Sequence, residues 1–327
     1  MSAFVLPPLS LPFSLRINPH HDVAEEASRS WFRSMGFDHL EGVMHEYESN
    51  RSCDLVARAF PDAGPLELEH LTNLVFWMFL LDDGLDQGAL SLSSDEGRKR
   101  LERMFSLLSA PAGEARPQTP LERSGVLMIA PMLEAMTGEG GRRLLEEIRM
   151  LFSWVAHEVQ RRSCAELPDL LAYAHQRRFT SAARVVFRAG EYANHAEVPA
   201  VFHQSRLFET LQDSATDVIT LVNDLISYEK EAEYGEINNY VVVCQQLLGS
   251  SIDDAVAFLL ALLDARLQCF QRERKRVAGF IEKHTFSNDE RQAIRRYVQM
   301  LEDWMSANLD WSLRVPRYND LRNGPRR

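Results

Sequence analysis

The chain has 327 residues, of which 45% are hydrophobic, and its 47 acidic residues outnumber 36 basic ones to give a formal net charge of −11. A chain of this length can bury a large core, whereas its negative charge disfavours binding to nucleic acid and electrostatic docking on an anionic membrane. The four cysteines are scattered without CxxC or metal-ligand spacing, which predicts reduced thiols, no zinc site and a cytoplasmic protein.

The first twenty residues predict an extended segment. They are interrupted by prolines and lack the basic start of an export signal, so we expect no signal peptide. From there to about Trp311 the apolar residues recur at helical spacing, and no stretch shows strand-like alternation bounded by hairpin signals. The longest apolar runs, residues 75–81 and 255–263, are shorter than the roughly 20 residues that span a bilayer. The sequence therefore predicts an all-α protein without stable membrane insertion.

Proline, glycine and short polar residues divide this helical pattern. Breaks are predicted at residues 61–65, 110–120, 137–141, 197–199, 235–239, 249–251 and 285–288. Each break has the length of a loop and none resembles an interdomain linker, because apolar helical patterns continue on both sides. We predict a single domain over residues 1–327.

An aspartate-rich motif, Asp82-Asp83-x-x-Asp86, ends the first long predicted helix. Asp82 and Asp86 follow the apolar residues 68, 71, 75 and 78 at steps of three or four, which predicts that the carboxylates continue a core-facing stripe. Buried carboxylates need cations, and oxygen ligands without nearby Cys or His favour a hard ion such as Mg²⁺. We predict a metal site here, although Gly84 leaves open an exposed helix end.

A second polar stripe lies farther along the chain. Asn223, Ser227 and Glu231 are spaced at i, i+4 and i+8, so their amide, hydroxyl and carboxylate oxygens share one helical face. Such hard donors suit Mg²⁺. By itself, however, the pattern is better explained as an ordinary polar helix face, because Thr216 and Thr220 extend it upstream.

Together, the order and separation of the two motifs resemble those of the class I terpene synthases of bacteria and fungi, over nearly the whole chain. Asp82-Asp83-Gly-Leu-Asp86 looks like the family's DDxxD motif, and Asn223-Asp224-Leu-Ile-Ser227-Tyr-Glu-Lys230-Glu231 looks like its ND-x-x-S-x-x-K/R-E motif. Arg317-Tyr318 resembles the family's C-terminal RY pair, and residues 17–20 are similar to the segment that caps its active site.

The resemblance implies a single helical bundle around a deep apolar cavity, with residues 1–20 as an extended cap and residues 312–327 as a tail over the active site. It also implies an enzyme in which three Mg²⁺ ions promote the loss of diphosphate from a linear prenyl diphosphate, followed by cyclisation of the carbocation. Farnesyl diphosphate is the expected substrate, with geranyl or geranylgeranyl diphosphate as alternatives.

The same resemblance implies residues that bind the diphosphate. These are Lys230, Arg317, Tyr318 and one arginine of the segment Arg177-Arg178-Phe-Thr-Ser-Ala182. We choose Arg178, because it is in line with the apolar residues 167, 171, 174, 182 and 185, and an inward arginine needs an anionic partner. A structural salt bridge to a buried carboxylate is the alternative for Arg178.

Five residues are candidates to line the cavity: Phe76, Phe79, Ala182, Trp304 and Trp311. Aromatic faces can stabilise a carbocation without attacking it. Core packing is an equal alternative for Phe76 and Trp311. Ala182 occupies a position where the family often has glycine at a helix break.

Two other functions stay open at this point. A prenyltransferase or diphosphate hydrolase on a similar fold would carry a second aspartate-rich motif or a water-activating base, and a non-catalytic interaction protein would carry eroded metal ligands. Neither pattern is present in the sequence. The expected partner is a small-molecule prenyl diphosphate, no nucleic acid is expected, and homodimerisation is left open.

Overall fold

The computed structural model describes residues 6–40, 42–86, 94–111, 113–164, 166–233 and 236–318, and of residues 83–86 and 94 it describes only the backbone. Within these ranges the protein consists of helices, turns and loops and contains no strand. This confirms the predicted all-α class.

Each predicted break separates two helices, and further helices end at residues 34, 50, 163, 180 and 203, outside these breaks. The helices are α1 (His21–Ser34), a 3₁₀ helix (Phe37–His39), α2 (Val43–Asn50), α3 (Ser52–Ala59), α4 (Pro65–Asp86), α5 (Ser94–Leu108), α6 (Pro120–Ala135), α7 (Gly138–Ser163), α8 (Leu170–Thr180), α9 (Ala183–Ala193), α10 (Ala200–His203), α11 (Arg206–Glu233), α12 (Tyr240–Leu248), α13 (Ile252–Lys283) and α14 (Asn288–Arg314).

Many of these starts have a local chemical cause. The side chains of Thr119, Thr137, Asp169, Ser251 and Ser287 each accept a hydrogen bond from a backbone N–H in the first turn of the helix that follows. Such caps satisfy N–H groups that have no partner within the helix. Short polar residues at these positions therefore explain why the helical pattern divides there.

The chain forms two compact units, which we describe separately. The N-terminal unit comprises residues 17–166 and 182–197, and in it α4 packs against α1, α3, α6 and α9, while α5 packs against α6 and α7. The apolar residues of α4 are buried from Leu68 to Trp77, whereas Leu66 in its first turn is exposed. This burial makes α4 the central helix of the unit.

The C-terminal unit comprises the described parts of residues 1–16, 167–181 and 198–327. Its central helix is α11, which packs against α8, α10, α12, α13 and α14 and is buried on nearly every side from Leu207 to Tyr228. A helix surrounded in this way can hold polar groups only where neighbouring elements supply hydrogen-bond partners.

Among the described residues, no helix combines the length and apolar content that crossing a membrane requires. The prediction of one domain over residues 1–327 stays a prediction.

The segment before α1 is fixed by one buried side chain. Asn18 donates from Nδ2 to the carbonyl oxygens of Phe60 and Ala63, each at 2.8 Å, and its backbone N–H donates to Ala57 O at 2.8 Å. These bonds attach the predicted cap segment to the end of α3. Next to it, His21 Nε2 lies 2.9 Å from Asp54 Oδ1, and His21 Nδ1 lies 2.7 Å from Asp22 Oδ1.

The contact between His21 and Asp54 predicts a pH-dependent stability. Its hydrogen bond, helped by Asp22 and Glu25 and opposed by burial, raises the pKa of His21 to about 9, and the same bond lowers the pKa of Asp54. Because the folded-state pKa of His21 is raised, the contact stabilises the fold fully below the unfolded pKa of about 6.5 and ceases to do so as the pH rises through about 9.

We expect Asp54→Asn to lower the free energy of unfolding by about 1–2 kcal/mol at about pH 6 and by clearly less at about pH 10. Urea denaturation at the two pH values measures both losses. Arg58 also contacts Asp54, with 3.4 Å between Arg58 Nη1 and Asp54 Oδ1. An equal loss at both would assign the effect to Arg58 and contradict the prediction.

Ala182 stands between α8 and α9 in a left-handed conformation, with φ 60° and ψ −3°. A residue with a Cβ atom is disfavoured there by about 1–2 kcal/mol, whereas glycine is not. We expect Ala182→Gly to raise the free energy of unfolding by up to about 1 kcal/mol, because the greater freedom of glycine in the unfolded chain offsets part of the relief. Thermal and urea denaturation measure this, with Ala183→Gly inside α9 as the matched control. The control should lower the free energy of unfolding. A lower free energy of unfolding in Ala182→Gly would contradict the proposed backbone strain at Ala182.

Candidate functional site

The aspartate motif lies at the C-terminal end of α4, in the N-terminal unit. The helix continues through Gly84 to Asp86, so Gly84 does not end it. The core-facing stripe is buried at Leu68, Leu71 and Val75, but it becomes half-buried at Met78 and Asp82 is exposed. The prediction that Asp82 continues a buried stripe is therefore wrong, because this face of α4 leaves the core over its last turns. The side chains of Asp83 and Asp86 lie outside the described residues.

An exposed carboxylate is hydrated, so Asp82 does not need a cation to offset a cost of burial. What remains of the metal prediction at this motif is the density of charge, three aspartates within five residues of helix. The two motifs lie in different units, and the second is described within the C-terminal unit.

The second motif occupies the final turns of α11. Asn223 and Glu231 are half-buried, and Ser227 is fully buried, with its Oγ donating to the carbonyl of Asn223 at 2.8 Å. The predicted spacing thus holds, since the three side chains follow one another at successive turns of one continuous helix.

A buried carboxylate next to Asn223 organises the residues around the motif. Asp224 is fully buried, and its Oδ2 accepts hydrogen bonds from Tyr173 Oη at 3.1 Å and from the backbone N–H of Tyr240 at 2.9 Å. Its Oδ1 accepts from Arg177 Nη2 at 2.6 Å and Nε at 3.1 Å. Arg177 Nη2 also donates to Asn223 Oδ1 at 3.1 Å. Arg177 is thereby held against a predicted metal ligand.

The C-terminal pair reaches the same place. Asn223 Nδ2 donates to Tyr318 Oη at 3.0 Å, and Lys230 Nζ lies 5.9 Å from the centre of the Tyr318 ring. Burial raises the pKa of Tyr318, while its hydrogen bonds to Asn223 and Arg317 and the charge of Arg317 act in the opposite direction. The structure therefore brings Asn223, Lys230, Arg317 and Tyr318 together, three of which were predicted as diphosphate ligands.

Arg178 points to different partners. Its Nε and Nη2 donate to the two carboxylate oxygens of Asp217 at 2.7 and 2.8 Å, and its Nη1 donates to Asp213 at 2.6 Å. Arg266 also pairs with Asp217, at 2.6 Å. This arrangement is the salt-bridge alternative considered for Arg178, and it joins α8, α11 and α13.

The stripe used to choose Arg178 does not exist in the structure. Leu171, one of its members, is 82% exposed, whereas Tyr173 is fully buried and Gln176 nearly so. The reason is the break after Thr180: residue 182 lies between the two helices and residue 185 belongs to α9, and a helical phase cannot be continued from one helix into the next. Tyr173, Gln176 and Arg177 form the inward side of α8.

The environment of Glu231 suits a cation. Asn239 Nδ2 donates to Glu231 Oε2 at 2.9 Å. Burial and the nearby charge of Asp224 raise the pKa of Glu231 to about 7, although Asn239, Arg177 and Ser227 favour its ionised form. An amide, a hydroxyl and a carboxylate whose ionised form lacks full compensation are a fitting donor set for a hard divalent ion.

The predicted cavity residues have different surroundings. Phe76 is fully buried and packs edge-to-face on Phe32 and Tyr47, each with ring centres 4.8 Å apart, so its contacts agree with core packing. Phe79 and Ala182 are half-buried and Trp304 is buried. Trp311 packs edge-to-face on Tyr318 at 5.7 Å.

A groove of about 440 Å³ lies between α5 and α7 of the N-terminal unit. Its described lining mixes apolar and charged side chains, including Phe105, Phe152, Arg98 and Arg149, and contains none of the five predicted cavity residues. It is therefore not the predicted cavity.

Comparison with known proteins assigns the chain to a family. Residues 73–268 match the family described as terpene synthase family 2, C-terminal metal binding, a span that includes both motifs. The chain belongs to the terpene synthase family. This confirms the class predicted from the two motifs, a metal-dependent terpene cyclase.

The chain is similar to characterised relatives and to a solved structure over most of the length of each. The (+)-T-muurolol synthase ((2E,6E)-farnesyl diphosphate cyclizing) of Roseiflexus castenholzii is 28% identical over 95% of this chain and 93% of its own. The (−)-beta-caryophyllene synthase ((2E,6E)-farnesyl diphosphate cyclizing) of Saccharothrix espanaensis is 26% identical over 96% and 90%. The structure of germacradien-4-ol synthase from Streptomyces citricolor has a TM-score of 0.83 at 22% identity, covering 94% of this chain and 98% of that one, which confirms the fold.

Sequence reasoning missed Asp224, Tyr173 and Asn239. Asp224 stands inside the motif that was singled out, and a buried position beside Asn223 could have been inferred from the apolar residues around it. Asn239 could have been identified as a helix cap, because it precedes the apolar run that begins at Tyr240.

Proposed function

We propose that this protein is a sesquiterpene cyclase that converts farnesyl diphosphate to a cyclic terpene with the help of Mg²⁺. The observation that carries the proposal is the cluster on α11, in which Arg177 and Tyr318 hydrogen-bond the two ends of the Asn223 amide and Lys230 lies over the Tyr318 ring. Cations thus lie beside oxygen donors suited to divalent ions, as recognition of a metal diphosphate requires. The substrate length is supported by the two farnesyl diphosphate-cyclizing relatives.

Two sets of side chains would hold the metal: Asp82, Asp83 and Asp86 on α4, and Asn223, Ser227 and Glu231 on α11. Three Mg²⁺ ions are proposed with substrate bound, and they would supply Lewis-acid stabilisation of the leaving diphosphate. The allylic carbon–oxygen bond breaks with its electron pair going to the diphosphate. The resulting carbocation then adds to its own double bonds and ends by losing a proton or capturing water.

For the diphosphate we propose Arg177 in place of Arg178, together with Lys230, Arg317 and Tyr318. Arg177 contacts both Asn223 and Asp224, so it lies beside the proposed metal ligands. Arg178 is bound by two carboxylates two turns away on α11, which leaves its positive charge compensated. Its proposed role is to hold α8 on α11.

A cavity that stabilises the carbocation needs aromatic faces and the exclusion of water. Phe79, Trp304 and Trp311 remain proposed as lining residues, with Ala182 at the helix break. Phe76 is assigned to the core. The proposed partner is the small-molecule substrate alone, the proposed location is the cytoplasm, and homodimerisation stays open.

The reaction is tested by incubating the purified protein with C10, C15 and C20 prenyl diphosphates and Mg²⁺, followed by gas chromatography of an organic overlay. We expect cyclic hydrocarbons or alcohols from the C15 substrate, and at least about a thousandfold loss of turnover in Asp82→Ala and Asn223→Ala, because each removes a metal ligand. Release of diphosphate with only linear alcohols would reject the cyclase. Cyclic products from only the C10 or C20 substrate would reject the sesquiterpene assignment.

The two adjacent arginines provide a matched pair. We expect Arg177→Lys to weaken binding of inorganic diphosphate with Mg²⁺ at least about tenfold, because lysine lacks the planar fork that Arg177 presents, whereas Arg178→Lys should change that affinity less than about threefold. Calorimetric titration measures both, and thermal denaturation shows whether each variant is folded. A larger effect at Arg178 would restore the original assignment.

A further inference from the structure

One buried side chain connects the start of α12 to the proposed metal ligands of α11. Asn239 is fully buried and caps α12, with its Oδ1 accepting from the backbone N–H of Val241 at 2.8 Å. Its Nδ2 donates to two acceptors on α11, the carbonyl of Asp224 at 2.8 Å and Glu231 Oε2 at 2.9 Å. Both protons of the amide nitrogen are therefore used, and the side chain is fixed in one orientation.

Glu231 needs such support because of where it lies. It is two residues from the end of α11, and a glutamate has three rotatable side-chain bonds whose freedom must be lost when the carboxylate binds a cation. Ser227 interacts with Glu231 from the same helix, whereas Asn239 donates from another element. The Asn239 bond therefore fixes the carboxylate relative to α12 as well as along α11.

The chemistry of the donor is also specific. A lysine or arginine in place of Asn239 would neutralise the charge of Glu231 and compete with a divalent ion for it. A carboxylate in place of Asn239 would repel the carboxylate of Glu231. A neutral amide orients the carboxylate while leaving its charge available, as groups that hydrogen-bond metal ligands do.

We propose that Asn239 is a positioning residue for Glu231, which it holds in the orientation that binds the metal. This inference rests on the proposed function, since it takes Glu231 as a metal ligand. The competing explanation is that Asn239 serves only as the helix cap of α12.

The test separates the cap from the contact with Glu231. In Asn239→Ser the hydroxyl can still cap α12, but the side chain is too short to reach Glu231 and has no amide donor. The full-length protein is titrated calorimetrically with Mg²⁺ in the presence of inorganic diphosphate, and its melting temperature is measured in parallel. We expect Asn239→Ser to weaken Mg²⁺ binding at least about tenfold while the protein stays folded.

The matched control is Ser287→Asn, which makes the reverse exchange at the cap of α14, remote in sequence from Glu231, and should leave Mg²⁺ affinity within about twofold. A double-mutant cycle then tests the route of the effect. On a Glu231→Ala background, Asn239→Ser should change the affinity by less than about twofold, because the acceptor of the Asn239 hydrogen bond is already removed.

Each outcome decides one question. If the wild-type protein does not bind Mg²⁺ with diphosphate, the proposed function fails. The positioning role is overturned in either of two cases. In the first, the wild-type protein binds and Asn239→Ser binds within about twofold of it. In the second, Asn239→Ser loses as much affinity on the Glu231→Ala background as it does alone. Should the serine variant fail to fold, Asn239→Thr replaces it, since threonine keeps a capping hydroxyl and fills more of the space but has no amide to donate to Glu231, and the same loss and the same cycle are expected.

Discussion

The burial of Asp224 is the constraint on which the C-terminal unit depends. A carboxylate removed from water is costly by several kcal/mol unless cations and hydrogen-bond donors replace the lost hydration. Two elements supply them: α8 through Tyr173 and Arg177, and the start of α12 through the backbone N–H of Tyr240. Because these donors come from separate segments, satisfying one carboxylate fixes the positions of α8 and α12 on α11, and Asn223 follows as its neighbour in the chain.

This constraint separates the roles of two arginines that are adjacent in sequence. Successive residues of a helix point about 100° apart, so Arg177 and Arg178 meet different parts of α11. Arg178 forms a network with Asp213, Asp217 and Arg266 in which opposite charges balance. Arg177 shares its guanidinium between a buried aspartate and the Asn223 amide. The first arrangement suits a structural joint, and the second leaves an arginine beside oxygen donors where an anionic ligand with its metal would lie.

Hydrogen bonds from residues outside α11 also hold the side chains of its motif. Asn239 donates to the backbone carbonyl of Asp224 and to the carboxylate of Glu231, so one amide links the two ends of the motif. Tyr318 holds the other end of the Asn223 side chain and in turn packs on Trp311. Residues outside the motif thus set the orientation of its proposed ligands, which is how a stripe on one helix acquires a defined geometry.

The sequence by itself determined the all-α class, seven of the breaks between helices and the two polar motifs, because helical periodicity, capping residues and i, i+4 spacing are local properties. It also identified the family through those motifs. Only the tertiary structure decided that Arg177 faces Asn223, that Phe76 packs among Phe32 and Tyr47, and that Asp82 is exposed. These features depend on how each helix is rotated about its axis and on where it leaves the core. Packing against remote segments fixes both. Neither can be extrapolated along the sequence across a break such as the one at Ala182.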